Sequence, residues 1–288
     1  INGNNSSYAD ADGTVAIQGF ANYQGGGVMD TFNITGATTA NLLGGAGTDL
    51  FDVGATLTGS INGQAGADTV QGSQVNDVFL TFADANGFDM TETSVTGGIN
   101  DIETLTGNGL AGSSLTGIFT TSSWDLDGTP TYTALGQTLN FTNFADLHGN
   151  ASFDTFNVTA NSNFNLFGGA SADVFNINGA ALTGSLIAAG NISAEGGDDD
   201  INMIGNASVA GNVDGGTSAE LDFSAFATAI NVVFSAGGTI DGFQGTATGI
   251  GGTFNNIDTL RGSAQADTLT GLNAGGTFEL NALNNASL

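Results

Sequence analysis

The chain has no cysteine, one proline, one histidine and a single basic residue, Arg261, against 28 Asp plus Glu. Each scarcity excludes something. Without Cys there is no disulfide, no thiol nucleophile and no His/Cys zinc cluster. One cation cannot neutralise a run of phosphates, so nucleic acid is excluded as a partner. A formal net charge of −27 likewise repels anionic membrane surfaces. No 18-residue apolar run marks a membrane helix, so no membrane insertion is expected. Ile1-Asn2-Gly3-Asn4-Asn5 is neither a signal peptide nor a starting Met.

What is present points to a folded core. Apolar residues make up 40% of the chain and 20 are Phe, which argues against disorder despite the charge. Glycine, 47 of 288 residues, is over twice its usual share of ~7%. Much of it lies in a recurring segment: GGAGTDLFDV at 44–53, GQAGADTVQG at 63–72, GNASFDTFNV at 149–158, GGASADVFNI at 168–177, AEGGDDDINM at 194–203 and GSAQADTLTG at 262–271. An earlier variant ends at Ile34. Its aspartates are Asp30, Asp49, Asp68, Asp154, Asp173, Asp199 and Asp267, and the steps 30→49, 49→68 and 154→173 are each 19 residues.

A longer period overlies the short one. Residues 30–53 align without a gap on 154–177, an offset of 124, and NDIETLTG at 100–107 matches NNIDTLRG at 255–262. Modules of ~125–155 residues follow: 1–123, 124–277 with an insertion near 221–247, and the start of a further module at 278–288. Ile1-Asn2-Gly3 matches Leu126-Asp127-Gly128, so the chain is expected to be a window on a longer array, with neighbouring repeats or other copies as its partners.

In DTFNI, DLFDV and DVFNI apolar and polar residues alternate, the period of a half-buried strand. A 19-residue unit cannot bury its own apolar face, and stacking on copies of itself does so. The predicted fold is all-β, a right-handed parallel β-solenoid of ~19 residues per turn. An antiparallel sandwich array is less favoured, because Asn-Gly hairpin signals between matched strands are scarce. Equal positions would form columns: Phe32, Phe51 and Val70; Phe156, Phe175 and Ile201; Ile34 and Val53; Val158, Ile177 and Met203. A third inward column would hold Tyr23, Leu42, Ile61, Leu105, Leu147, Leu166 and Leu260, while Asn33, Asp52, Asn157, Asn176 and Asn202 face outward.

GGAGTDLFD at 44–52 matches every defined position of the glycine-rich nonapeptide GGxGxDxUx, and the chain resembles RTX (haemolysin-type) repeats in long bacterial surface and secreted proteins. The resemblance implies Ca²⁺ held between neighbouring turns by loop carbonyls and the motif Asp. Asp49 and Asp68 are the best-placed ligands, with Asp30, Asp154, Asp173, Asp199 and Asp267 in looser copies. Only Gly47, Gly66 and Gly197 keep the fourth-position Gly; Val28, Ser152, Ser171 and Gln265 replace it. Stacked carboxylates ~5 Å apart repel by about 1–3 kcal/mol per pair, and divalent cations with oxygen ligands would relieve that. The plainer reading is that each Asp caps its loop by accepting backbone N–H groups.

The function expected from all this is structural and adhesive: an extracellular or cell-surface stalk, spacer or fibre segment without catalysis. An adhesive ligand is not specified by these residues. A polysaccharide-acting β-helix enzyme is the main alternative, but its acids would need one singular constellation, and here they recur at equivalent positions. The Asp198–Asp200 run reads as a distorted copy of the loop, His148 as a surface residue and Trp124 as core at a module junction. Ice or crystal-surface binding is a further alternative, from Thr-x-Thr steps at 56–58, 104–106 and 268–270 that do not recur every turn.

Overall fold

The computed structural model describes residues 6–179, 186–188 and 190–279. Ile1-Asn2-Gly3 and most of the expected third module at 278–288 lie outside them. Among the described residues the chain is all-β, with no helix and with parallel strands in stacked sheets. It divides into two compact units, Ile1–Phe119 with Pro130–Asp146, and Thr120–Thr129 with Leu147–Leu288.

In the first unit the strands Thr31–Ile34, Leu50–Val53, Thr69–Gln71, Thr104–Thr106 and Gln137–Thr142 pair in parallel. Their register superposes Phe32, Phe51, Val70, Leu105 and Phe141. A second parallel set, Asn22–Gln24, Asn41–Gly47, Ile61–Gly66 and Val95–Ile102, superposes Tyr23, Leu42, Ile61 and Ile99. Alternation sends these side chains inward, and all but Tyr23 are buried. Phe32 and Phe51 stack with ring centroids 5.0 Å apart, close to the spacing of the strands that carry them.

The second unit repeats the arrangement. Ser122–Leu126, Asp154–Val158, Val174–Asn178, Asp199–Ile204, Ala219–Asp222 and Thr259–Arg261 pair in parallel, with Trp124, Phe156, Phe175, Ile201, Leu221 and Leu260 in one column. Val158, Ile177 and Met203 form the next one. Leu166, Ile192, Val213 and Phe254 line the other set of strands. Trp124 is buried and lies flat on Phe156 at 5.5 Å, a core position. Outside, Asn157 Nδ2 donates to Asp125 Oδ1 (2.9 Å), Asn176 Nδ2 to Asn157 Oδ1 (2.9 Å) and Asn202 Nδ2 to Asn176 Oδ1 (3.0 Å). The outward amides thus bond from strand to strand.

Two expectations need correction. Leu105 and Leu260 do not join the Tyr23–Leu42–Ile61 column; each sits in the Phe column of its unit. The reason is that Glu103-Thr104-Leu105 and Asp258-Thr259-Leu260 are acid–Thr–apolar steps, equivalent to Asp154-Thr155-Phe156 and not to Leu42-Leu43-Gly44. Antiparallel hairpins are also commoner than expected. Asp77–Asp84, Gly87–Glu92 and Val95–Ile102 form one meander, its first turn at Ala85-Asn86. Thr131–Ala134 pairs with Gln137–Thr142 through a tight turn whose Leu135 and Gly136 have φ 52° and 80°. Inside the insertion expected near 221–247, Asn231–Gly237 pairs with Phe243–Ala247.

Candidate functional site

The motif aspartates come together as two carboxylate ladders, one in each unit. The loop preceding each strand ends in the Asp, and parallel pairing brings that residue beside its counterpart. In the first unit the Asp30 N–H donates to Asp49 Oδ1 (2.7 Å), Asp49 N–H to Asp68 Oδ1 (2.7 Å) and Asp68 N–H to Glu103 Oε2 (2.6 Å). In the second the Ser122 hydroxyl donates to Asp154 Oδ1, Asp154 N–H to Asp173 Oδ1 (2.8 Å) and Asp173 N–H to Asp199 Oδ1 (2.7 Å). Asp258 continues this ladder at its far end, accepting the Ala219 N–H at 3.3 Å. Asp49, Asp68, Glu103, Asp173, Asp199 and Asp258 thus each tie their own loop to the backbone of the preceding copy, whereas Asp154 takes a side-chain hydroxyl and Asp30 caps its own loop, its Oδ2 accepting the Gly26 N–H at 2.6 Å.

Asp267 stands apart. It accepts the Ile230 N–H (2.8 Å) and the Ser263 hydroxyl (2.7 Å), and joins neither ladder. Its strand, Thr268–Thr270, pairs with Asn231–Gly237 instead. Of the Asp198–Asp200 run only Asp199 points inward; Asp198 accepts the Ser218 hydroxyl at 3.0 Å. His148 is half-buried, its ring flat on Phe167 at 4.3 Å. Arg261 pairs at the surface with Glu220 (2.7 Å) and Asp222 (3.5 Å). Glu103 and Asp258 are the ladder members that a search for the Gly-rich loop misses. The signal that finds them is the acid–Thr–Leu step itself.

The second oxygen of each interior carboxylate is enclosed. Oδ2 of Asp49, Asp68, Asp154, Asp173 and Asp199 is buried and accepts no hydrogen bond. At Asp49, Asp68, Asp154 and Asp173 it packs on the glycine five residues earlier, a position held by Ala194 before Asp199: a Cβ added to Gly63 or Gly149 would meet Oδ2 of Asp68 or Asp154 at 2.5 Å. Only a weak Cα–H contact is available there. Burial accordingly pushes the Asp154, Asp173 and Asp199 carboxyls up to about 7, Glu103 to about 7 and Asp68 to about 6. Neighbouring carboxylates add to the rise at Asp68, Glu103, Asp173 and Asp199, and the accepted N–H bonds oppose it.

A calcium ion takes six to eight oxygens and requires ionised carboxylates. Here one oxygen of Asp49, Asp68 and Asp173 is committed to a neighbouring N–H and the other is packed on a glycine Cα. Among the described residues no group of three or more His, Asp or Glu side chains could hold a metal ion. Calcium ligation by loop carbonyls and the motif Asp remains what the resemblance implies, and no step below runs through it.

Raised carboxyl pKa values set the direction of a pH dependence. Asp titrates near 3.8 when unperturbed and about 7 in the second ladder, so between these values the folded chain holds more protons than the unfolded one. Stability is then greatest below pH ~4, falls as pH rises to about 7, and levels off above. Thermal melts should show the midpoint dropping by several degrees between pH 5 and pH 8, and Asp173→Asn should flatten the slope. At pH 8, millimolar Ca²⁺ or EDTA should leave the midpoint unchanged. A calcium-dependent rise would mean that the loops open to admit the ion.

No protein-family model matches the chain, and a search of curated proteins likewise finds no match.

Proposed function

We propose that the chain is a structural, adhesive repeat segment: a stalk, spacer or fibre building block of a large bacterial surface or secreted protein, extracellular and non-catalytic. In this reading the parallel strands of each unit are the faces of a right-handed β-solenoid with ~19 residues per turn. The observation that carries it is the fate of the acids. They recur at one equivalent position, and Asp49, Asp68, Asp173 and Asp199 each spend an oxygen on the backbone of the adjacent copy. A hydrolase or lyase needs a singular acid–base pair open to substrate, whereas Asp49, Asp68, Asp154, Asp173 and Asp199 are buried fasteners.

Pulling the ends of single molecules apart tests the proposal. A spacer made of nearest-neighbour turns should lengthen in separate steps of about 65–130 Å, turns of 19 to 39 residues at ~3.4 Å per residue. A single rupture releasing the whole length would argue for an ordinary globular unit. Turnover of any polysaccharide in a purified-protein screen would overturn the non-catalytic reading.

A further inference from the structure

The parallel ladders end in two strands that use only one edge each. Among the described residues Thr31–Ile34 pairs only with Leu50–Val53, and Thr259–Arg261 only with Ala219–Asp222. Leu50 N–H donates to the Asp30 carbonyl and Gly54 N–H to the Ile34 carbonyl, so alternation turns the Thr31 backbone groups away from the ladder. Side chains on these strands are less covered than their interior counterparts. Asp30 and Leu260 are half-buried and Asp258 is exposed, against 1% exposure for Asp173 and 0% for Leu221. Oδ1 of Asp30 accepts no N–H from a described residue, unlike that of Asp49, Asp68, Asp173 and Asp199, while its Oδ2 accepts the Gly26 N–H of its own loop.

We propose that these edges bind each other between molecules: Thr31–Ile34 of one copy pairs, parallel and head to tail, with Thr259–Arg261 of a second copy. The occupant is argued from sequence and register. Asp30-Thr31-Phe32-Asn33 and Asp258-Thr259-Leu260-Arg261 are both versions of the tetrad that pairs inside the ladders, Asp154-Thr155-Phe156-Asn157 on Asp173-Val174-Phe175-Asn176. Docked in that register, Leu260 covers Phe32 and extends the apolar column, and Thr259 meets Thr31. Arg261, the only basic residue of the chain, comes over Asn33, which is itself beside Asp52. The contact joins unlike edges, so it is heterologous and builds rings or open chains of copies rather than a two-fold dimer. Two molecules of charge −27 repel, so added salt should strengthen the association. This inference rests on the stacked-repeat reading above, but stepwise extension of single molecules does not depend on it, so the two fail separately.

Because the chain lacks cysteine, single thiols report the contact. Thr31→Cys and Thr259→Cys lie at exposed positions, and parallel in-register neighbours are within disulfide reach. Mixing the two full-length variants with oxidised glutathione at tens of micromolar should give a covalent heterodimer at least tenfold above a Thr129→Cys plus Thr259→Cys mixture. Wild-type protein should sediment as concentration-dependent oligomers that grow between 50 mM and 500 mM NaCl. A melt of each variant matching wild type confirms that the edges are intact. The proposal is overturned by a heterodimer yield no higher than the control, by Thr31→Cys homodimers as the main product, or by a wild-type monomer at every concentration and salt.

Discussion

Phe175→Ala is expected to lower the unfolding free energy by about 3–5 kcal/mol, the usual range for emptying a buried aromatic site. Phe175 is fully buried, lies flat on Phe156 at 5.0 Å, and has Ile201 as its register partner on the other side. The backbone on either side is fixed by parallel pairing, so the site cannot collapse onto the gap. Asn176→Ala, one residue along, removes outward amide bonds to Asn157 and Asn202 and should cost about 1 kcal/mol. Guanidinium unfolding of the three proteins decides the matter, and the single Trp provides the signal, since Trp124 stacks on Phe156 in the same column. Equal small losses at both positions would show that the column is not what holds the second unit together.

The columns were legible because the short period is strict where it operates. Steps of 19 residues place Phe32 on Phe51 and Phe156 on Phe175, and the alternation of DTFNI and DVFNI fixes which side faces in. Aspartate register followed from the same count, but its bonding did not. A sequence states that Asp49 lies near Asp68; it does not state that one oxygen takes a backbone N–H while the other is sealed against a glycine. Where the period breaks, assignment failed. Glu103 and Asp258 hold ladder positions after detours of 35 and 39 residues from their partners, and the pairs Gly97-Gly98 and Gly251-Gly252 before them are spaced differently from Gly44-Gly45 before Asp49. Those detours are filled by antiparallel hairpins such as Gly87–Glu92 and Phe243–Ala247, whose short turns carry weak local signals. Leu105 and Leu260 went to the wrong column for one reason: a Leu-x-Gly triplet occurs in both sets of strands.

Gly72→Ala should be as damaging as the loss of a core Phe, although it removes nothing. Gly72 has φ +136°, a conformation that L residues rarely adopt. It also presses directly on the strand below: a Cβ would lie 2.6 Å from both the nitrogen and the carbonyl carbon of Val53, and would overlap the Val53 oxygen. Those atoms cannot retreat, because Val53 O accepts the Gln74 N–H at 3.1 Å and Val53 itself is buried in the column over Ile34. Backbone strain of about 1–3 kcal/mol and a similar cost for overpacking together predict a loss of about 3–5 kcal/mol. Gly136→Ala separates the two contributions. Its φ is +80°, yet nothing lies within 4 Å of the added carbon, so only the conformational cost of about 1–2 kcal/mol should appear. Equilibrium unfolding of both variants gives the comparison. If Gly72→Ala loses no more than Gly136→Ala, close approach of neighbouring strands is not what places glycine at Gly72.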